Sequence, residues 1–137
     1  MALTHLIDTS VIARLGVAAV RAVVEPLTDA GQLGRVGITD LEVGYGSHNA
    51  REWDQDMADL RVFELVETTA DHIRRARQVQ RLLAARSQRG RKVPDLLIAA
   101  AAEAHDLTVL HYDGDFDIIS KVTGQLCRWV VPAGSVD

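Results

Sequence analysis

The feature that most constrains the fold is the alternation of short β-prone runs with helical segments along all 137 residues. The β-prone runs are rich in Leu, Val and Ile and lie at 3–8, 34–38, 107–112 and 126–131. A fifth run, 62–66, alternates in polarity and is read either as a strand or as an extended link. Strands separated by helices predict an α/β fold in which helices cover both faces of a mostly parallel central sheet.

The segments between these runs have helical spacing or the residues that begin and end helices. We predict a helix in the second half of 9–31 and further helices at 39–49, 51–60, 68–90, 93–106 and 116–124. Pro26 is expected to distort the end of the first helix, whereas Pro94 suits the first turn of the fifth. Thr39 and Glu42 match a capping box that would start the second helix at Thr39. No linker or internal repeat divides the chain, so a single domain over 1–137 is expected.

Composition argues against several classes of protein. A net charge of -4 and a pI of about 5.7 do not suit a protein that coats nucleic acid by charge alone. The single cysteine, Cys127, rules out an internal disulfide and fits a packed thiol in a reducing compartment. No run approaches the roughly 18 apolar residues of a membrane span, and no secretory signal is recognisable. We therefore expect a cytoplasmic protein with no membrane partner.

Acidic residues lie where the predicted strands and helices should meet at one edge of the sheet. Asp8 ends the first strand, and Asp113 follows the strand at 107–112. Glu42 and Asp95 lie in the first turns of predicted helices. Ligands of parallel α/β sheets bind beyond the carboxyl ends of the strands, so these acids are expected to converge.

Each acid also has a purely structural interpretation. Asp8 can cap the helix that follows it, and Glu42 can simply close the capping box. Asp95 can interact only with a helix dipole, and Asp113 with the following glycine is a common turn signal. Asp117 is best interpreted as a helix cap or an exposed helical residue. These interpretations do not exclude metal binding, because an acid can cap a helix and also bind an ion.

Several carboxylates in one small pocket require a counter-charge, because like charges raise one another's pKa. A hard divalent cation such as Mg²⁺ or Mn²⁺ prefers oxygen ligands and removes this repulsion. The five histidines are scattered, and no pair has ligand spacing on one helix face, so zinc is not indicated. The acids therefore predict a Mg²⁺ site in which Mn²⁺ can substitute.

Three motifs follow one another in the chain: LIDTS at 6–10, TDLE at 39–42 and PDLLIAAAAEAHDLTVLHYDGDFD at 94–117. Together with the final strand, this ordered set resembles the PIN-domain ribonucleases. Within that family the chain is most similar to the VapC-type toxins of bacterial toxin–antitoxin pairs. The match covers nearly the whole chain, although 50–90 has little recognisable motif. The resemblance implies a PIN-like three-layer α/β/α sandwich.

The resemblance also implies an activity and a set of site residues. It implies a Mg²⁺-dependent endoribonuclease toxin that hydrolyses RNA with a metal-activated water, leaving a 5′-phosphate and a 3′-hydroxyl. The catalytic acids would be Asp8, Glu42, Asp95 and Asp113, and the metal ligands Asp8, Asp95, Asp113 and Asp115. The expected partners are RNA, a cognate antitoxin that holds the enzyme inactive, and a second copy in a homodimer.

Substrate contacts are expected from polar side chains beside the acids. Thr9 and Ser10 each bring a hydroxyl next to Asp8. His111 replaces the Thr or Ser that the family often has two residues before its D-x-D pair. Its imidazole would hydrogen-bond an acid or contact RNA.

A basic run lies between the predicted long helix and Asp95. Eight of the fifteen Lys and Arg residues lie within 74–92. The run is read either as a solvated helix face or as a contact for the RNA backbone, in which case Arg86 and Arg89 would bind substrate.

Candidate apolar surface for a protein partner lies in 41–65 and includes Val43, Tyr45, Trp53 and Leu60, although packing inside the monomer is the simpler explanation for Trp53. Two other functions stay open. One is a catalytically inactive PIN-like module that binds RNA or a partner. The other is an aspartate-dependent phosphatase, which normally has a second Asp where this chain has Ser10.

Overall fold

The computed structural model describes residues 2–88 and 92–137, and within these ranges five short strands form a single sheet. The strands are β1 (His5–Ile7), β2 (Leu33–Val36), β3 (Glu64–Val66), β4 (Thr108–His111) and β5 (Cys127–Trp129). Their spatial order is β3-β2-β1-β4-β5, and every neighbouring pair is parallel. The predicted parallel sheet is therefore confirmed, and the run at 62–66 contains an edge strand.

Seven helices connect or follow these strands in the part of the chain that the structure describes. They are α1 (Thr9–Ile12), α2 (Ala18–Asp29), α3 (Gly37–Tyr45), α4 (Ala50–Leu60), α5 (Ala70–Ala85), α6 (Val93–Ala104) and α7 (Asp115–Thr123). Among the described residues, none of these helices has the length and apolar character needed to cross a membrane.

The sheet separates two apolar cores, because successive residues of a strand point to opposite faces. Leu6 and Val109 enter the core formed with α5, α6 and α7. Ile7 and Leu110, the next residues of the same strands, enter the core formed with α1, α2 and α4. This arrangement confirms the predicted three-layer α/β/α sandwich.

The predicted helices can be compared with those in the structure. The helix predicted in the second half of 9–31 is confirmed as α2, and a separate short helix, α1, precedes it and ends at Ile12. Pro26 lies inside α2, which continues to Asp29. The helix predicted over 68–90 ends at Ala85, and α5 starts with a capping box formed by Thr69 and His72.

The capping box predicted for Thr39 and Glu42 does not form. Strand β2 ends at Val36, and α3 begins immediately at Gly37, so Thr39 lies inside the helix and not at its cap. Thr39 is fully buried, and its Oγ1 has no hydrogen-bond partner within the described residues. Glu42 is consequently in the second turn, where its carboxylate is available to a partner outside α3.

The central strand pair sets the position of the site. β1 lies between β2 and β4, with Ile7 opposite Leu110. The backbone N–H of Asp8 continues this pairing by donating to the Leu110 carbonyl at 2.9 Å. The residues after β1 and β4 therefore emerge side by side at the carboxyl edge of the sheet.

Candidate metal centre at the carboxyl edge of the sheet

Three of the predicted acids, Asp95, Asp113 and Asp115, form a compact cluster. Each offers one carboxylate oxygen, and these three oxygens lie within 4.8 Å of one another. Asp95 comes from the first turn of α6, Asp113 from the turn after β4, and Asp115 from the first position of α7. The amino ends of α6 and α7 carry partial positive charge, which offsets part of the repulsion between the carboxylates.

Asp95 is the most deeply buried member of this cluster, with 3% of its surface exposed. Its Oδ2 has no hydrogen-bond partner among the described residues. The pKa of Asp95 is raised to about 8, mainly by burial and then by the negative charges of Asp8 and Asp113, although Lys92 opposes this rise. A buried carboxylate with an unpaired oxygen is a costly arrangement that a bound cation would relieve.

Asp113 is held by three hydrogen bonds around its turn. Its Oδ2 accepts from Lys92 Nζ at 2.5 Å, and its Oδ1 accepts from the Asp115 N–H at 3.0 Å. Its own N–H donates to His111 Nδ1 at 3.2 Å. Burial acts to raise the pKa of Asp113, but the hydrogen bond from Lys92 and then that from Asp115 outweigh it, so the pKa is lowered. Asp113 is therefore ionised and aligned with the cluster.

Asp8 caps a helix and also faces the acidic cluster. Its Oδ2 accepts from the N–H of Ser10 at 3.0 Å and from the Ser10 hydroxyl at 2.5 Å, which caps α1. The Ser10 Oγ accepts in turn from the N–H of Tyr112 at 2.8 Å. Asp8 is buried, and its charge raises the pKa of both Asp95 and Glu42. Asp8 therefore caps α1 and also belongs to the acidic surroundings of the site.

Glu42 reaches the same edge from α3. Its Oε1 accepts from the Thr9 hydroxyl at 2.7 Å. Burial raises the pKa of Glu42, and the charges of Asp8 and Asp113 add to this effect, although the hydrogen bond from Thr9 opposes it. The charges of the other acids therefore influence Glu42, but it lies outside the compact cluster of Asp95, Asp113 and Asp115.

The side chains predicted to contact substrate have internal partners. The hydroxyls of Thr9 and Ser10 donate to Glu42 and Asp8, so each orients an acid. His111 was expected to face an acid or RNA, but its side chain is fully buried and has no surface for RNA to contact.

The buried position of His111 is explained by the aromatic groups around it. Its ring centroid is 4.9 Å from that of Phe116 and 5.0 Å from that of Trp129. Burial lowers the pKa of His111, so the imidazole is neutral and accepts the Asp113 N–H through Nδ1. His111 therefore supports the turn that carries Asp113.

The basic run is only partly available to a substrate. Arg75 Nε donates to Glu103 at 2.6 Å, which ties α5 to α6, and Arg74 pairs with Asp71. Arg86 is exposed at the end of α5. Arg89, the other predicted substrate contact, lies outside the described residues.

Two features of the site were missed from the sequence. The first is the ion pair of Lys92 with Asp113, for which the spacing of Lys92 three residues before Asp95 was a signal. The second is the hydrogen-bond chain from Tyr112 through Ser10 to Asp8, which depends on tertiary contact.

The predicted apolar surface divides into exposed and buried residues. Leu60 is buried in the core beside α2, so its prediction as surface was wrong, whereas Val43 packs against the same core but is only partly buried. Tyr45 is 94% exposed, and Leu41 and Trp53 are also exposed. We call Leu41, Tyr45 and Trp53 the α3–α4 apolar surface. It adjoins Glu42, since Leu41, Glu42 and Tyr45 line one shallow pocket.

Asp117 lies within the first turn of α7 and does not cap that helix. Its two carboxylate oxygens each lie 3.2 Å from the indole Nε1 of Trp129, which donates to them. It is exposed and does not belong to the compact cluster, so it offers a comparison for the site acids.

The donor set fits a hard divalent cation. The cluster offers carboxylate oxygens, which Mg²⁺ and Mn²⁺ prefer, and no cysteine or histidine belongs to it among the described residues. The Asp95 Oδ2 is a ligand atom that accepts no hydrogen bond in the part of the chain that the structure describes, although Lys92 Nζ lies 4.0 Å from it.

Comparisons with known proteins point in the same direction. The PIN domain family matches residues 5–122. The chain is 64% identical to ribonuclease VapC51 of Mycobacterium tuberculosis over 137 residues, which is 100% of both chains. It is 41% identical to ribonuclease VapC21 of the same species over 98% of this chain and 99% of that protein. The crystal structure of DNA-bound VapBC from Salmonella typhimurium is similar in fold, with a TM-score of 0.77 and 17% identity over 94% of this chain and 99% of that one.

Proposed function

This chain belongs to the PIN domain family, and from that premise we propose that it is a metal-dependent endoribonuclease acting as the toxin of a toxin–antitoxin pair. The observation that carries the proposal is the cluster of Asp95, Asp113 and Asp115, in which the buried Asp95 Oδ2 has no hydrogen-bond partner among the described residues. RNA as the substrate is supported by the 64% identity to a protein named as a ribonuclease. We take 1–137 as one catalytic domain, since the family match extends over 5–122.

The proposed metal is Mg²⁺, for which Mn²⁺ can substitute. Its ligands would come from Asp95, Asp113 and Asp115, with Asp8 beside them, because the donor atoms are carboxylate oxygens. When bound, such an ion lowers the pKa of a coordinated water and offsets negative charge on the scissile phosphate.

The protein groups have complementary roles in this proposal. Asp113 is ionised and fixed by its turn, so it suits ligation. Glu42 has a raised pKa and is oriented by the Thr9 hydroxyl, which suits a group that accepts a proton from the attacking water. Ser10 is a positioning residue, since its hydroxyl and N–H both hold one oxygen of Asp8. In-line attack on phosphorus would leave a 5′-phosphate and a 3′-hydroxyl.

The proposed protein partners are a cognate antitoxin and a second copy of this chain. The α3–α4 apolar surface supports a protein contact, because Tyr45 and Leu41 are exposed beside Glu42. Sedimentation of the purified chain tests the dimer. A mass near the 15.0 kDa of one chain at micromolar concentration would exclude it.

The activity is tested with protein purified free of any partner and incubated with total RNA. We expect cleavage with Mg²⁺ or Mn²⁺, no cleavage with EDTA, and products that a 5′-phosphate-dependent exonuclease degrades. Equal cleavage with and without EDTA would contradict metal dependence. RNA binding without cleavage under every metal condition would favour the inactive binding module instead.

A further inference from the structure

Lys92 places a positive charge directly against the acidic cluster. Its Nζ donates to Asp113 Oδ2 at 2.5 Å and lies 4.0 Å from Asp95 Oδ2. Lys92 is the N-cap residue of α6 and has an extended backbone, three positions before Asp95. An ammonium group has no acceptor that could cap the helix, and that of Lys92 is directed to the two carboxylates.

The ammonium group contacts one of the two carboxylate oxygens with which Asp113 could bind a divalent ion. Ligation by carboxylates brings an ion to about 2.0–2.6 Å from each oxygen. An ion held by Asp95 and Asp113 would therefore lie within a few ångströms of Nζ in its present position. Two positive charges at that separation repel, and they would compete for Asp113 Oδ2.

Lys92 can leave while the acids stay in place. Its side chain is 56% exposed, whereas Asp95 is buried and Asp113 is fixed by backbone hydrogen bonds. A lysine stem is flexible and its ammonium group is readily hydrated, so moving it into solvent disturbs no packed core.

We propose that Lys92 is a tethered counter-ion of the metal-free site, which neutralises Asp113 and leaves it when a divalent ion binds. This inference rests on the proposed function only in taking the cluster as the metal site. It assigns to the chain itself the charge compensation that the cluster needs before the metal arrives. Lys92 therefore stabilises the metal-free site and at the same time weakens metal binding.

The test measures Mn²⁺ affinity by calorimetry in the absence of RNA, with wild type, Lys92→Met, Lys92→Gln and Lys92→Arg. Both neutral variants should bind Mn²⁺ about threefold to tenfold more tightly, because the competing hydrogen-bonded charge is gone. Lys92→Arg keeps the charge and should stay close to the wild type. The chain has one other lysine, Lys121, and Lys121→Met is the matched control that should leave the affinity unchanged.

The melting temperature in EDTA gives a second measurement on the same proteins. It should fall in both neutral variants, since Asp113 loses its counter-charge, and should be retained in Lys92→Arg. Mn²⁺ affinity in the neutral variants that equals or is weaker than that of the wild type would overturn the inference.

The two proposals fail in different ways. Tighter Mn²⁺ binding by the neutral variants, with no RNA cleavage by any form, would overturn the proposed function and leave the Lys92 inference standing. Metal-dependent cleavage with unchanged Mn²⁺ affinity in the neutral Lys92 variants would overturn the Lys92 inference and leave the proposed function standing. No Mn²⁺ binding by any form would overturn both.

Discussion

Asp95 illustrates how one residue can lower stability and serve a site. Its Oδ2 is buried without a partner among the described residues, and three other acids raise its pKa. A buried polar atom without a hydrogen bond costs about 1–3 kcal/mol, so a purely structural residue at this position would be unfavourable. A role as a metal ligand would explain why this unfavourable oxygen is present, since a bound cation would interact with it.

Replacing Asp95 with Asn should therefore stabilise the metal-free protein. The substitution keeps the shape of the side chain and removes a carboxyl group whose ionised form is disfavoured in the folded protein by burial and by the charges of Asp8 and Asp113. We expect the free energy of unfolding in EDTA to rise by about 2 kcal/mol, measured by urea denaturation at neutral pH.

Asp117→Asn is the matched control for this experiment, because Asp117 is exposed and its Asn replacement can still accept the Trp129 indole N–H. It should leave the stability within about 0.5 kcal/mol of the wild type, as is usual for surface substitutions. A loss of stability in Asp95→Asn would show that the carboxylate is structural.

Sequence patterns predicted that acids meet at one edge of the sheet, where Asp95, Asp113 and Asp115 form the compact cluster, but not how each acid is held. Asp8 and Asp113 could be predicted because they follow strands of a parallel sheet, whose ends share one edge. The Thr39 prediction failed because a capping-box pattern is local, whereas the end of β2 at Val36 decides where α3 begins. The role of His111 depends on Phe116 and Trp129, which pack around it only in the folded chain.

At the scale of the elements, the start of α5 depends on a histidine. The Thr69 Oγ1 accepts the N–H of His72 at 3.2 Å, and His72 Nδ1 accepts the N–H of Thr69 at 3.2 Å. Burial lowers the pKa of His72, and the neighbouring His105 lowers it further, although Asp71 opposes them. Only an imidazole with a free Nδ1 lone pair can accept this hydrogen bond, so the capping box needs neutral His72.

This capping box makes stability depend on pH. The folded state takes up a proton on His72 at lower pH than the unfolded state does, so stability falls as the pH drops below about 6.5. His72→Gln keeps an acceptor for the Thr69 N–H and removes the titration. Urea denaturation at pH 7 and pH 5 should therefore show a smaller loss for the variant than for the wild type.

His48→Gln makes the same exchange at an exposed histidine of the α4 region and should retain the larger, wild-type loss. Equal losses in wild type and His72→Gln would show that the start of α5 does not contribute to the pH dependence.

At the scale of the whole molecule, the alternation of strands and helices was sufficient to predict the layers and the parallel sheet. It was not sufficient to give the order β3-β2-β1-β4-β5, which depends on which strands pair across the sheet. That order matters, because it places β1 beside β4 at the centre and so brings Asp8 next to the turn of Asp113. The fold thus gathers acids from distant parts of the chain at one edge.

The most direct test of the central claim compares RNA cleavage by Asp95→Asn and Asp117→Asn at saturating Mg²⁺. Both variants lose one carboxylate, but only Asp95 belongs to the compact cluster. We predict that Asp95→Asn remains folded and loses at least about a hundredfold in cleavage rate, since it removes a proposed metal ligand. Asp117→Asn should cleave at the wild-type rate. Wild-type cleavage by Asp95→Asn would contradict the proposed metal centre.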